Sequence, residues 1–334
     1  TRILTISGSG ETTSETSPWH KYADRVKEIR IEEGITGLYT GFSDCTNLEK
    51  VSFPSTLTQI TDKSFYNCQK LTDVSFAESC EAVLGAAAFA KCTALTEIVL
   101  PKGTSTFGSA TFGGCTALKK ATVGAVSIGT FAGCDALTEV IYQEGVKSFG
   151  NQTFRASSYA YDAYGDCTSL ETVTIPASLT EWGETPFSEE TLAKVNFIGE
   201  GKANFIFEKN GSGAGYSAIY SKDKSALYYV NPSITELTIP ATVRELNASM
   251  FSGFTKLRKV TFGEGSRLTE IPAKCFYECS ALTEIPLPQT VTGIGSEAFS
   301  GCSALKRIGL SSSLKTIGYA AFSGCKVLAN PVLP

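Results

Sequence analysis

Histidine is almost missing from this chain. His20 is the only one in 334 residues, so a Ser-His-Asp or Cys-His device would have to be built around it, and no nucleophile pattern lies near it. No P-loop is present, and Gly8-Ser9-Gly10 lacks the third glycine and the strand–helix context of a dinucleotide fingerprint. The eleven cysteines form no CxxC pair and have no histidine partners, which removes the usual zinc patterns. No apolar run approaches the ~20 residues needed for a membrane-spanning helix. Basic excess is absent too. The formal net charge is −4 and the pI about 5.3, so the whole chain carries no electrostatic footprint for nucleic acid. Thr1 opens the sequence without Met or a secretory leader, so either an export signal has been removed or the protein stays inside the cell. Paired carboxylates are too common here for their spacing to point to glycoside hydrolysis.

What is present is a repeat. Phe276 to Phe299 reads FYECSALTEIPLPQTVTGIGSEAF. Leu282, Ile285 and Leu287 carry the period-two pattern of a short strand with one buried face. Pro288 lacks an N–H and suits the strand end. Val291 and Ile294 turn inward on a tighter return. So short a coil cannot bury its apolar side alone and must stack on neighbours.

The lead apolar position recurs at Val26, Leu48, Leu71, Leu95, Leu118, Leu137, Leu170, Leu192, Ile234, Leu257, Leu282, Leu305 and Leu328. Most steps are 22–25 residues, and three depart. The 19-residue step after Leu118 loses part of its return through Gly124 to Ile128. A 33-residue step adds a loop at about 155–164, with Tyr159, Tyr161 and Tyr164. A 42-residue step adds residues 199–232, where Tyr216 to Tyr220 and Ala226 to Val230 flank Ser221 to Ser225 and predict a β-hairpin. Asn210 to Gly215 reads as flexible. The expected organisation is a cap over 1–25 and a solenoid over 26–334 with those two insertions. Trp19 and Tyr22 are expected to cover the open apolar end; the alternative use of Trp19 with His20 is a binding platform. The chain stops at Leu333-Pro334, where another coil would begin, so its C-terminal cap is expected to be thin or missing.

Nine cysteines, from Cys45 to Cys325, stand three residues before a lead leucine, and Cys80 and Cys275 take apolar places of neighbouring coils. All eleven are therefore expected to be interior free thiols.

A charged row follows two residues after the lead positions: Glu28, Lys50, Asp73, Glu97, Lys120, Glu139, Thr172, Lys194, Glu236, Lys259, Glu284 and Arg307. The next outward row includes Ser52, Ser75, Thr122, Thr174, Thr238 and Thr261. These rows are either a gripping face for a protein or glycan, with Lys120, Glu139 and Lys194 as its contacts, or ordinary cross-strand pairs and hydroxyl ladders. The insert tyrosines Tyr159, Tyr161, Tyr164, Tyr216, Tyr220 and Tyr228 are the aromatic contact candidates; the alternative is that each packs its insert onto the coil beneath.

The unit F-x-x-C-x-x-L-x-x-[VI]-x-[LF]-P-x-x-[LV]-x-x-I resembles the BspA-like leucine-rich repeat family. Phe65 to Phe89, Phe276 to Phe299 and Phe299 to Phe322 carry it best. The opening LTISGSG, the coil Ile31-Glu32-Glu33-Gly34-Ile35, and Tyr220-Ser221-Lys222-Asp223-Lys224 followed by Leu227 are similar to features of that family. The resemblance implies a β-rich, right-handed leucine-rich-repeat-like solenoid with one parallel sheet, short helical or 3-10 turns on the return side and an inserted hairpin. It also implies an extracellular or cell-surface bacterial protein that adheres to host or bacterial macromolecules. It brings no catalytic residues. The expectation is a non-enzymatic, monomeric binding scaffold with no cofactor, no metal, no nucleic acid and no transmembrane segment. The rival readings are a structural spacer presenting another domain and, behind it, a carbohydrate-active module.

Overall fold

The computed structural model describes residues 2–12, 19–39, 41–106, 108–124, 129–159, 162–183, 186–199, 204–209 and 216–329. The chain divides into two compact units, 1–203 and 204–334. The boundary falls inside the longer expected insertion.

In the first unit the period-two segments form a column of parallel front strands: Ile3–Ile6, Glu28–Ile31, Lys50–Phe53 and Asp73–Phe76, then Glu97–Val99, Lys120–Val123, Glu139–Tyr142, Thr172–Thr174 and Asn196–Ile198. Ile29 pairs with Val51, Val51 with Val74, and Ile98, Ala121, Val140 and Val173 continue in register. Each of these except Val74 is essentially inaccessible to solvent, because a one-residue slip would turn the whole apolar set outward. One coil departs from the expected register. Phe197, not Val195, stands opposite Val173. A short helix at Glu189–Leu192 takes up the difference, and it buries Leu192 and Val195 before the strand begins.

A second, narrower column lies on the return side. Gly10–Glu11, Ile35–Leu38, Gln59–Ile60, Val83–Leu84 and Ser105–Thr106 pair in parallel. The sequence marks these segments as turns, since two residues show no alternation. Ser105–Thr106 is the last member of that sheet, and the shortened return at 125–128 lies outside the described residues.

The second unit repeats the plan. Its front strands are Glu236–Ile239, Lys259–Phe262, Glu284–Pro286 and Arg307–Gly309, and its return strands are Glu270–Ile271, Gly293–Ile294 and Thr316–Ile317. The expected hairpin is present as Tyr216–Ser221 and Leu227–Val230, with Phe205–Lys209 added as a third antiparallel strand. Asp223 shapes its loop: it accepts from the Ser221 hydroxyl at 2.7 Å and from the Ser225 N–H at 3.0 Å and hydroxyl at 2.7 Å. These bonds hold its carboxyl down to about 2. Residues 210–215, read as flexible, and 330–334, where the next coil was expected, lie outside the described residues.

A column of stacked rings holds the core. Trp19, Phe42, Phe65, Phe89, Phe112, Phe131, Phe154 and Phe187 follow one another with centroids 4.9–5.8 Å apart and planes within 14°. Trp19 stands at the end of this column, stacked on Phe42. Phe251, Phe276, Phe299 and Phe322 form the same column in the second unit. Around Phe65, Phe89, Phe112, Phe131, Phe251, Phe276, Phe299 and Phe322 the residues two before and two after adopt positive φ, as at Lys274 and Glu278 (both 56°) about Phe276. This alternation aims the N–H groups of Lys274, Phe276 and Glu278 at the carbonyls of Ser296, Ala298 and Ser300, 2.7–3.0 Å away on the next coil. It is a third ladder between coils, and it satisfies backbone groups that the turn would otherwise bury unpaired.

All eleven cysteines are free thiols. Cys68, Cys92, Cys115 and Cys134 each donate to the carbonyl of a phenylalanine on an earlier coil, 3.2–3.4 Å away, and Cys279, Cys302 and Cys325 do so at 3.0–3.1 Å.

Candidate functional site

Burial removes the thiols from chemistry. Loss of solvent pushes Cys45, Cys167 and Cys279 up to about 12, far from the thiolate that a nucleophile or metal ligand requires. Among the described residues no group of three or more His, Cys, Asp or Glu could hold a metal ion, and no helix is long and apolar enough to cross a membrane. The surfaces left to consider are the outward faces of the coils and the inserts.

The charged row turns out largely self-paired in the first unit. Lys120 Nζ lies 3.1 Å from Glu139 Oε2, on adjacent strands and in register. Lys50 meets Asp73 at 2.6 Å, and Lys27 pairs with Glu49. Lys194 does not belong to this row. It follows the short helix and pairs back to Glu190 at 3.4 Å, and the register puts Asn196 beside Thr172 in its stead.

The tyrosines divide. Tyr216 and Tyr220 are 1% exposed; Tyr220 belongs to the buried cluster that joins Ala218, Leu227 and Val230 of the insert to Ile239, Val243 and Leu246 of the coil that follows, and burial pushes its phenol up to about 12. Alternation on that strand aims them inward, so neither offers a ring to solvent. Tyr228 is half-buried and meets Phe205 edge-on at 5.6 Å. Tyr164 is also half-buried and lies across the glycine turns of two coils. A Cβ on Gly113 or Gly114 would come within 2.8 Å of its ring, and one on Gly133 within 3.2 Å of its Cβ. It anchors its insert, a hairpin of Ser157–Tyr159 and Asp162–Tyr164. Tyr159 pairs its backbone with Asp162 in that hairpin, while Tyr161 lies outside the described residues.

One feature of the front face escaped the sequence reading. Beside the charged row, Val99, Thr122, Ile141, Thr174 and Ile198 stand on five adjacent strands in direct register. Val99 is 52% exposed and Ile198 47%, and the three between are half-buried. The row was legible only as its hydroxyl members. Its aliphatic ones occupy outward slots, where alternation predicts polar residues, and they become a surface only when the register aligns them. At ~4.8 Å per strand the row runs about 19 Å. Every member is β-branched and stiff at χ1, so the stripe is pre-ordered, with three aliphatic side chains alternating with two threonines.

Comparison with known proteins agrees with this architecture. The family described as BspA type leucine rich repeat region matches residues 38–160, 129–205 and 223–334, in six copies. A leucine-rich repeat protein from Bacteroides ovatus is 22% identical, with a TM-score of 0.55 over 97% of this chain and 84% of its own. A leucine rich cell surface protein from Faecalibacterium prausnitzii is 22% identical, with a TM-score of 0.51 over 96% and 89%. A leucine-rich repeat protein from Eubacterium ventriosum is 19% identical, with a TM-score of 0.51 over 99% and 92%. At such identities the likeness is one of fold. No curated protein matches the chain.

Proposed function

From a chain that belongs to the BspA-type leucine-rich repeat family, we propose a non-enzymatic binding scaffold that works at a bacterial cell surface or after release from it, adhering to a host or bacterial macromolecule. The observation that carries this reading is the exposed β-branched stripe of Val99, Thr122, Ile141, Thr174 and Ile198. Monomeric proteins keep contiguous apolar surface small, and a larger patch rimmed by polar residues marks an interaction site. The Lys120–Glu139 pair provides such a rim in the neighbouring row. A sheet face with rigid side chains loses little entropy on docking. The half-exposed Tyr164 and Tyr228 are secondary contacts in this reading, together with Tyr159 and Tyr161 of the shorter insert. A surface location is supported by the similar protein from F. prausnitzii, which is a cell surface protein.

The test is direct binding to a panel of immobilised matrix proteins and a glycan array. Wild type is compared with a variant carrying Val99→Ser, Ile141→Thr and Ile198→Ser. Saturable binding that weakens at least tenfold in this variant, with thermal stability held, supports the front face. Binding that survives unchanged moves the contact to the inserts, and a second variant with Tyr159, Tyr161 and Tyr228 changed to Ala then locates it. No saturable binding to any member would sink the adhesive reading and leave a spacer.

A further inference from the structure

The division into two units splits the charge unevenly. Residues 204–334 hold 13 lysines and arginines against 9 aspartates and glutamates, a net +4, whereas residues 1–203 hold 16 against 24, a net −8. The acidic total therefore conceals a cationic unit. Its surplus gathers on one edge. Backbone bonds stack Thr235, Arg258, Thr283, Lys306 and Ala329 in a single row, the N–H of each of the last four donating to the carbonyl one coil earlier at 2.7–3.2 Å. In the adjacent row the strand register aligns Glu236, Lys259, Glu284 and Arg307. Two basic doublets, Arg258-Lys259 and Lys306-Arg307, thus stand two coils apart, about 10 Å. Lys256 adds charge from the turn that leads into Lys259–Phe262, and Lys326 from the corresponding turn of the last described coil.

All six cations are exposed. Among the described residues their only ion pair is Arg307 with Glu284, at 3.0 Å; the other five have no carboxylate partner. The front face of the first unit differs, since its Lys27, Lys50 and Lys120 are all paired. A shallow groove lined by Thr283, Glu284, Lys306, Arg307, Val327 and Ala329 runs beside the second doublet. Apart from Val327 it presents no large apolar anchor, and buried aromatic or aliphatic anchors are what protein partners use. The surface fits a ligand whose charges repeat along an extended chain.

We propose that this edge of the second unit is a docking track for a sulfated polysaccharide. The doublets would meet sulfates roughly one disaccharide apart; the Thr283 hydroxyl between them donates to the Arg258 carbonyl at 3.1 Å, which leaves its oxygen as an acceptor. Arginine and lysine give charge-assisted bonds to sulfate oxygens, and cations not already paired have no internal bond to break. The inference rests on the scaffold reading and names one class of ligand for it.

Heparin is the probe, with neutral dextran as the blank and polyphosphate of matched charge as the second arm. Wild type is compared with R258E/K306E and with R267E/K315E, which makes the same charge change on the return side; R258Q/K306Q guards against misfolding of the first variant. Saturable heparin binding at 50 mM salt is expected, weakened at least tenfold by 300 mM salt through screening. The front-edge variants should lose at least tenfold and the return-side variant less than threefold. Equal losses in both variants would mean diffuse charge and overturn the track. Polyphosphate binding as tight as heparin would overturn the glycan class. No heparin binding would overturn the proposal outright while leaving panel binding through the first unit's stripe to be judged separately.

Discussion

The Cys302 thiol donates to the carbonyl of Phe276, 3.1 Å away and one coil earlier. The same bond joins Cys279 to Phe251 and Cys325 to Phe299. In seven coils the cysteine therefore bonds its coil to the one before it and is more than apolar filling. Cys302→Ala should cost about 1–2 kcal/mol for the lost bond and contacts. Cys302→Ser should recover part of that if bonding matters more than polarity. Urea midpoints of the two variants measure it, and an alanine variant indistinguishable from wild type would make the bond incidental.

Alkali should unfold the protein through its thiols. Cys167 and Cys279 are raised from their ordinary value near 9 to about 12 by burial. The folded state thus keeps protons that the unfolded chain releases, so stability is intact below pH 9 and falls as pH climbs towards 12. Each such thiol contributes a slope of roughly 1.4 kcal/mol per pH unit inside that window. A melting temperature that stays level from pH 8 to pH 11 would contradict the burial.

Leu282 is fully buried at the lead position of its coil. Leu282→Ala should destabilise by about 2–5 kcal/mol through the cavity it leaves. Equilibrium denaturation reads this directly, and a loss near zero would place the side chain outside the core.

Ser249 is exposed and holds φ at 59° two residues before Phe251. A Cβ is unfavourable there by about 1–2 kcal/mol, and glycine removes it at some cost in unfolded-chain entropy. Ser249→Gly should stabilise by up to about 1 kcal/mol, seen as a higher midpoint; a lower one would mean that the turn does not need the left-handed conformation.

Lys120 and Glu139 are both about a third exposed. A double-mutant cycle between them should give a coupling of no more than about 1 kcal/mol, reduced further by salt. A larger, salt-insensitive coupling would mark the pair as more than a solvated rung of the sheet.

The sequence alone determined the coil. Phenylalanine, cysteine and leucine at fixed offsets specify inward slots, because a unit of 22–25 residues has only one way to bury them, against its neighbours. It likewise placed the hairpin between Tyr216 and Val230. The tertiary structure decided what depends on alignment between coils. Phe197 took the strand slot assigned to Val195 because a helical turn absorbed two residues. Tyr220 turned inward because its face of the insert packs against the coil that follows, with Val243 and Leu246 in the same buried cluster. Val99, Ile141 and Ile198 lie 42 and 57 residues apart in sequence and share a row only through strand register. The basic doublets are likewise 48 residues apart and become one edge only when their coils stack on either side of the coil that carries Thr283. A surface is a relation between coils, and short-range pattern specifies each coil by itself.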